Sequence, residues 1–93
     1  MKVTVTGFGM LRQYMPSKNA IIEIEDSATV RSLIEKLRGN WGNSFYDYII
    51  KENELTPSIV VLLNGLSINI KEGLNTELRD GDRLVFTIMV NGG

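Results

Sequence analysis

The sequence predicts an α+β domain in which one main helix packs on one face of a mixed β-sheet. Three observations predict it. Two segments near the start alternate apolar and polar residues, as half-buried strands do. The stretch "SATVRSLIEKLRGN" carries an apolar stripe with helical spacing. Further apolar segments, separated by turn-forming residues, follow in the second half of the chain.

The first two strands are predicted over residues 2–6 and 20–25. Valines alternate with threonines in the first, and isoleucines alternate with glutamates in the second, so each strand has one apolar face. Glycines on both sides of Phe8 interrupt the pattern after the first strand. Residues 10–15 then form one helical turn or a loop. We therefore expect the two strands to pair as a hairpin with a long connection.

The main helix is predicted to begin at Thr29 or Ser27, because the side-chain oxygen of either residue can cap the unpaired N–H groups of the first turn. Gly39 is predicted to end it, since glycine readily adopts the left-handed conformation found just after many helices. The apolar stripe follows the spacing i, i+3, i+4 and i+7, and we expect it to face the sheet. Its members are Val30, Leu33, Ile34 and Leu37.

Residues 41–57 leave two structures open, a second short helix or a loop. In the first case Asn43 or Ser44 caps a helix within residues 41–52, and residues 53–57 form a connector after it. The inner face of that helix then consists of Phe45, Tyr48 and Ile49.

Three strands are predicted in the last third of the chain. Residues 58–63 are a run of β-branched and aliphatic residues, which is typical of a buried strand. Asn64-Gly65 predicts a tight hairpin turn, because both central residues of a type I′ turn need positive φ, and residues 66–70 return as a short strand. An Asp-Gly-Asp turn at residues 80–82 precedes the final strand over residues 83–90. One side of that strand is expected to carry Leu84, Phe86, Ile88 and Val90.

The order of these elements, β–β–α–(α)–β–β–β, fits a β-grasp (ubiquitin-like) roll. In that roll the first and last strands lie side by side and parallel at the centre of the sheet. A ferredoxin-like βαββαβ sandwich is the alternative, and it is weakened because two strands precede the main helix. We interpret residues 1–93 as a single β-grasp domain with a flexible C-terminal tail, residues 91–93, that ends in Gly-Gly.

Composition argues against several classes of function. The 93 residues include 10 basic and 11 acidic side chains without a basic cluster, so we expect no nucleic-acid partner. There is no cysteine and no histidine, which excludes thiolate metal sites, cysteine nucleophiles and histidine relays. No apolar run approaches the ~20 residues that cross a bilayer, and the start reads as a strand instead of a signal peptide. We therefore expect a cytoplasmic protein without a membrane partner.

Several segments, taken in order, resemble the MoaD/ThiS sulfur-carrier family, which comprises the molybdopterin synthase small subunits and their ubiquitin-like relatives. They are "GFGMLRQYM", "ATVRSLIEKL", "SIVVLLNG", "KEGLNTELRDGDRLVF" and the final "GG". The resemblance covers essentially the whole chain and is greatest to the longer MoaD-like members, which have an insertion where residues 41–57 lie. The chain departs from the family at residues 87–91, where many members carry prolines and this one has Thr-Ile-Met-Val-Asn.

The resemblance implies a function for the two terminal glycines. An activating enzyme of the ubiquitin-activating type would use ATP to adenylate Gly93, which would then receive sulfur as a thiocarboxylate. The tail would next enter the large subunit of molybdopterin synthase, where sulfur passes to a pyranopterin precursor. Gly92 keeps the tail slender enough for a narrow channel, since it lacks a Cβ atom. The chain itself would be a carrier within a synthase complex, not an enzyme, and would bind no cofactor tightly.

Apolar residues are predicted to bind the partners that take the tail, because exposed apolar residues mark interfaces. The candidates are Phe8, Leu66 and Met89. For Phe8, a place at the edge of the core is an equal alternative. Arg12 is a further candidate, for contact with a carboxylate or phosphate of a partner. Asp80 and Asp82 flank a turn without further acidic residues at ligand spacing, so we predict no metal site.

Other functions use the same glycines. One is a ubiquitin-like protein modifier, joined through Gly93 to a lysine of a target by an isopeptide bond. Another is a sulfur carrier for thiamine synthesis or tRNA thiolation. These functions share the activation step with the first, so the sequence does not separate them. A non-covalent adaptor domain with an incidental Gly-Gly end is the remaining interpretation.

Overall fold

Two strands and a 3-10 helix form the first part of the fold. The computed structural model, which describes residues 1–89, places strand β1 at Lys2–Gly7 and strand β2 at Asn19–Glu23. A 3-10 helix at Gly9–Tyr14 connects them. The two strands are antiparallel. This confirms the predicted hairpin with a long connection, and it shows that the connection contains a helical turn.

Helix α1 spans Val30–Trp41, and a capping box closes its first turn. The Thr29 hydroxyl accepts a hydrogen bond from the N–H of Ser32 (3.2 Å), and the Ser32 hydroxyl accepts one from the N–H of Thr29 (2.7 Å). Two N–H groups that the helix leaves unpaired are satisfied in this way, so Thr29 is the cap and Ser27 is not. The predicted apolar stripe is buried: Val30, Leu33, Ile34 and Leu37.

The predicted end of this helix at Gly39 is wrong. The helix continues to Trp41, and Gly42 follows with a φ of 87°, a left-handed value that favours glycine. Helix α2 then spans Asn43–Ile49 and has no side-chain cap, so the caps predicted at Asn43 or Ser44 are also wrong. The physical reason is that Gly42 serves as the boundary of both helices, and the residue after it is already helical.

The rest of the insertion is a small hairpin. Strands β3, Ile50–Lys51, and β4, Glu54–Leu55, pair antiparallel in a separate two-stranded sheet. The second helix that the sequence left open is therefore present and ends at Ile49, and the predicted connector, residues 53–57, contains the second strand of the hairpin. Of the residues predicted on the inner face of α2, Phe45 and Ile49 are buried and Tyr48 is half-buried.

Three further strands complete the main sheet. They are β5, Ile59–Leu63, β6, Leu66–Ser67, and β7, Arg83–Ile88. Asn64 and Gly65 have φ values of 51° and 90°, which confirms the predicted turn. Strand β6 is shorter than predicted, because Ile68–Ile70 forms a 3-10 helix that buries the first isoleucine. A last 3-10 helix lies at Gly73–Asn75.

The main sheet has the order β2-β1-β7-β5-β6. Strands β1 and β7 are parallel neighbours at its centre, with Val5 beside Leu84, and every other pairing is antiparallel. This is the topology predicted for a β-grasp roll, with a mixed sheet and the main helix on one face.

The core lies between the sheet and the two helices. Alternate residues of β5 and β7 are buried, which shows that one face of the sheet is covered and the other is more open. None of the helices in the described part of the chain is long and apolar enough to cross a bilayer. The largest side chains of the core include Phe45, Phe86, Leu33, Ile34, Leu37 and Leu84.

Candidate functional site

Strand β7 leads the chain towards residues 90–93, and its last residues are held on both sides. On one side the N–H of Phe8 donates to the carbonyl oxygen of Phe86 (3.0 Å). On the other side β5 pairs with β7 to its last residue, and the N–H of Met89 then donates to the carbonyl oxygen of Ser58 (2.7 Å). The point from which the tail continues is thus fixed to the centre of the sheet.

The residues predicted to carry the chemistry, Gly92 and Gly93, lie outside the described residues. The predicted tail, residues 91–93, lies outside them as well. So does Val90, which the sequence placed in the final strand; the described strand ends at Ile88. The roles of the two glycines therefore stay predictions, and the structure describes the base from which they extend.

Three aromatic rings support the end of β7 from the helix side. The Phe86 ring meets the Phe45 ring edge-on with their centroids 5.4 Å apart, and the Phe45 ring meets Trp41 in the same way at 5.1 Å. Both phenylalanines are fully buried. Edge-to-face pairs of this kind contribute beyond the area that they bury. Helix α2 therefore stiffens the strand just before the tail.

Phe8 follows the last residue of β1 and is 42% exposed, so it does not belong to the buried core. The ammonium nitrogen of Lys18 lies 5.4 Å from the centre of its ring, within the range of a cation–π interaction. This exposure fits the predicted role in docking better than a place in the core. The docking role of Phe8 stays a prediction.

The other two predicted docking residues are exposed but lie at different ends of the sheet. Met89 is 59% exposed and lies at the end where Phe8 lies. Leu66 is 52% exposed and pairs with Leu63, which is opposite Leu84. That position is about 17 Å back along the sheet at ~3.3 Å per residue. The structure thus brings Phe8 and Met89 to one end and does not bring Leu66 to them.

The 3-10 helix adds a residue that the sequence did not single out. Met10 is 58% exposed, and its sulfur lies 3.9 Å from the hydroxyl oxygen of Tyr48 on α2. The Tyr48 ring in turn packs on Tyr14, with 5.4 Å between the ring centres. The turn is anchored by Leu11, which is fully buried. The sequence contains one sign of this turn, the glycine before Met10. Gly9 has a φ of 65°, a left-handed value that favours glycine at the start of the turn.

The two aspartates of the Asp-Gly-Asp turn have structural partners. The Asp80 carboxylate accepts a hydrogen bond from the N–H of Lys2 (2.7 Å). The Asp82 carboxylate accepts one from the N–H of Arg79 (2.7 Å) and one from the Asn64 amide (2.9 Å). These bonds fasten the turn to β1 and to the β5–β6 hairpin. Within residues 1–89 no three acidic side chains are grouped as a metal site requires.

A surface depression of about 620 Å³ lies at the other end of the sheet. It is open to solvent and is lined by the first two residues, by Lys36 on α1 and by several acidic side chains. Because it surrounds the start of β1, it is separated from the base of the tail by the length of that strand. It therefore takes no part in the candidate site.

Known proteins place the chain within one family. The family model described as Urm1 (ubiquitin related modifier) matches residues 2–93. A candidate sulfur carrier protein of Archaeoglobus fulgidus is 34% identical over 73 residues, which cover 77% of this chain and 83% of that protein. Small archaeal modifier protein 3 of Haloferax volcanii is 27% identical over 93 residues, which cover 100% of both chains.

The likeness extends to solved structures. A Pyrococcus furiosus protein, described as a candidate subunit 1 of molybdopterin converting factor, superposes with a TM-score of 0.77 at 26% identity. The match covers 96% of this chain and 98% of that one. Both relatives found by sequence carry the name of a carrier or a modifier, and neither is named an enzyme.

Proposed function

The chain belongs to the Urm1 (ubiquitin related modifier) family of ubiquitin-like carriers and modifiers, and we propose that it carries sulfur as a thiocarboxylate on Gly93. One observation carries the proposal. The central strand β7 is hydrogen-bonded on both sides and leads directly into the sequence Val-Asn-Gly-Gly of residues 90–93. A rigid base thus precedes two residues without Cβ atoms, which suits insertion into a narrow active site.

The proposed activation takes place in a partner enzyme of the ubiquitin-activating type. A carboxylate oxygen of Gly93 attacks the α-phosphorus of ATP, pyrophosphate leaves, and an acyl-adenylate forms. A hydrosulfide ion then attacks the acyl carbon, a C–S bond forms, and AMP leaves with the former carboxylate oxygen. Because the chain has neither cysteine nor histidine, we expect the partner to supply the acid–base groups. The use of ATP suggests the cytoplasm as the location.

The sulfur acceptor that we propose is a pyranopterin precursor of molybdopterin. The support is the resemblance of the sequence to MoaD-like proteins and the likeness to the P. furiosus protein described above. In this role the chain is the small subunit of molybdopterin synthase, and its tail enters the large subunit. The thiocarboxylate sulfur attacks a carbon of the acceptor and displaces an oxygen leaving group, so that a C–S bond replaces a C–O bond. Water then cleaves the bond between sulfur and the Gly93 carbonyl, which restores the carboxylate and leaves a thiol on the acceptor.

A protein modifier is the second candidate function. The family model and the H. volcanii relative are both described as modifiers, which favours it specifically. In this case the amine of a target lysine attacks the activated carbonyl of Gly93, AMP leaves, and an isopeptide bond forms. The activation step is the same as in sulfur transfer.

Intact-mass spectrometry tests the thiocarboxylate. The chain is incubated with the activating enzyme of the same organism, ATP and sulfide, and its mass is expected to rise by the difference between sulfur and oxygen. A variant that lacks Gly92 and Gly93 is the matched control and is expected to keep its mass. An unchanged mass of the full chain, with an enzyme that still cleaves ATP, would show that the proposal is wrong.

Removal of Gly93 in living cells distinguishes the two candidate functions. If the chain serves molybdopterin synthesis, removal of Gly93 is expected to abolish the activity of molybdenum- or tungsten-dependent enzymes. If it modifies proteins, lysates are expected to contain conjugates of higher mass that disappear with Gly93. Normal cofactor synthesis in cells whose chain lacks Gly93 would contradict the synthase role and leave the modifier role to be judged by the conjugates.

A further inference from the structure

Gly93 is close to the end of β7 along the chain. It is four residues beyond Met89. An extended chain spans at most about 3.6 Å per residue, so Gly93 lies within about 14 Å of Met89 in any conformation. A protein that takes Gly93 into an active site must therefore contact the surface around Met89. This step rests on the proposed function of Gly93.

That surface is formed where two parallel strands end together. Gly7 at the end of β1 lies beside Phe86 of β7. The 3-10 helix that follows β1 packs against both β7 and α2. We define the tail-side surface by its five exposed side chains: Phe8, Met10, Arg12, Lys18 and Met89.

The tail-side surface gathers apolar area. Of the six large apolar side chains that are exposed among residues 1–89, three belong to it, namely Phe8, Met10 and Met89. Two of these three have contacts that restrict them, since Lys18 lies over the Phe8 ring and the Tyr48 hydroxyl lies beside the Met10 sulfur. Side chains that are already ordered lose less entropy on binding, so this patch is suited to docking.

The same surface carries positive charge. Residues 7–18, 56–60 and 86–89 make up this end of the sheet, and they contain Arg12 and Lys18 but no aspartate or glutamate. The adjoining insertion contributes three acidic residues, Asp47 on α2 and Glu52 and Glu54 in the β3–β4 hairpin, so the positive charge lies on the connection between β1 and β2. Both cations are exposed and are therefore accessible to a partner.

Acidic side chains lie at the opposite end of the sheet. Glu23 is 3.8 Å from the Lys2 ammonium at the start of β1, and Asp80 accepts a hydrogen bond from the Lys2 N–H. Asp82 also lies there, because its carbonyl oxygen accepts from the N–H of Thr4 (2.9 Å). The same end also carries Lys2, Arg79 and Arg83, so its acidic side chains are accompanied by basic ones. Residues 7–18 contain basic side chains alone, and such a local charge helps to orient a protein as it approaches a charged partner.

We propose that the tail-side surface docks on the activating enzyme, at a face where an apolar pocket for Met10 and Phe8 is bordered by carboxylates that pair with Arg12 and Lys18. The activating enzyme is the partner because sulfur transfer and protein modification both require it. Carboxylates on that face attract Arg12 and Lys18, which lie beside the base of the tail, so the charges favour an approach with the tail towards the enzyme.

Kinetics of adenylation test the charged part of the surface. The purified activating enzyme of the same organism is assayed by exchange of pyrophosphate into ATP at varied carrier concentration. The double variant Arg12→Glu/Lys18→Glu is expected to lower kcat/KM on the order of tenfold, mainly through a higher KM, because charge reversal opposes association. The matched control is Lys36→Glu/Lys71→Glu, which makes the same change of charge on exposed residues elsewhere. Its KM is expected to stay close to that of the wild type.

A matched apolar pair tests the pocket. Met10→Gln is expected to raise KM severalfold, because the pocket then takes up a polar side chain. Ile70→Gln is the control, since Ile70 is 71% exposed and lies beyond β6, away from the tail. An equal KM for these two variants would contradict the predicted apolar contact.

Salt dependence of the wild-type chain supplies a measurement that needs no variant. The KM for adenylation is expected to rise with ionic strength, because salt screens exposed charges. A KM that does not change with salt, or equal KM values for the two charge-reversed double variants, would overturn the inference.

If those variants stay active while loss of Gly92 and Gly93 abolishes adenylation, docking at this surface is wrong and the function of Gly93 stands. If the chain without both glycines is still adenylated, the proposed function itself is wrong.

Discussion

Gly7 ends β1, and its missing side chain makes room for Met15. A Cβ atom at position 7 would overlap the Met15 sulfur and would lie 3.4 Å from the Met15 methyl carbon. It would also lie 3.8 Å from the Cβ of Leu11, which is an ordinary contact. Met15 is 8% exposed, so its sulfur has little space into which it can move. We expect Gly7→Ala to force Met15 out of its present rotamer.

Two opposing effects set the size of the change in stability. Overpacking of a core costs about 1–3 kcal/mol. Replacing glycine by alanine stabilises by about 0.4–1 kcal/mol through the unfolded chain, provided that the backbone conformation allows it. The difference is a net loss of about 1–2 kcal/mol. For a domain of this size, about 1 kcal/mol lowers Tm by roughly 4–8 °C.

A double-mutant cycle tests the reasoning by urea denaturation. Met15→Ala alone is expected to cost about 2–4 kcal/mol, because it leaves a cavity. On that background the new Cβ atom at position 7 meets no sulfur and fills part of the cavity. The cost of Gly7→Ala is therefore expected to disappear, with a coupling energy of about 1 kcal/mol or more. If Gly7→Ala costs the same with and without Met15, the steric argument is refuted.

Three other substitutions test turn geometry and the role of Phe8. Glu52 has a φ of 53° in the turn between β3 and β4, and this conformation costs a residue with a side chain about 1–2 kcal/mol. That exceeds the roughly 0.4–1 kcal/mol that a glycine loses through the unfolded chain, so Glu52→Gly is expected to raise the urea midpoint slightly. Asn64→Ala removes the hydrogen bonds to the Arg83 N–H and the Asp82 carboxylate, both 2.9 Å long, and keeps a positive φ. Asn64→Ala is expected to lower the free energy of unfolding, measured by thermal denaturation, by about 2 kcal/mol. Asn64→Gly relieves the strain of the positive φ, so its loss of stability reports the hydrogen bonds alone. Phe8→Ala is expected to weaken binding of the activating enzyme more than it lowers Tm; a large drop in Tm with unchanged binding would assign the ring to the core.

Local patterns were sufficient for the sheet and for the buried face of α1. Alternation in the first strand predicted that Val3 and Val5 are buried, and both are. The helical spacing of the stripe that ends at Leu37 predicted the packing of α1 in the same way. These predictions succeeded because the period of an apolar pattern reports directly which side of an element is covered.

The end of α1 was not predictable from local patterns. Gly39 and Gly42 are both able to end a helix, and they lie three residues apart. The choice depends on Trp41, which is helical and packs edge-on against Phe45 of the next helix. That contact is tertiary, so it extends the helix past the first glycine. The same sharp turn at Gly42 removes the need for a side-chain cap on α2.

The candidate site was also predictable from the sequence only in part. Phe8 and Met89 lie at one end because β1 and β7 are parallel, which the predicted order of elements implied. Leu66 lies at the other end because β5 runs antiparallel to β7, and the apolar run of residues 58–63 does not show in which direction that strand is paired. Met10 depends on a contact with Tyr48, 38 residues away along the chain. Contacts of this range arise from packing, which a single sequence does not display.

The insertion links the stability of the fold to the presentation of the tail. Through Phe45 it supports the buried ring of Phe86, and through Tyr48 it contacts Met10 on the tail-side surface. Strand ends open locally at little cost unless packing holds them. If the proposed activating enzyme draws residues 90–93 into its active site, it pulls on the end of β7, where β1 no longer pairs beyond Phe86. Helix α2 packs under that position, so we infer that the insertion keeps the base of the tail folded while the partner holds its end.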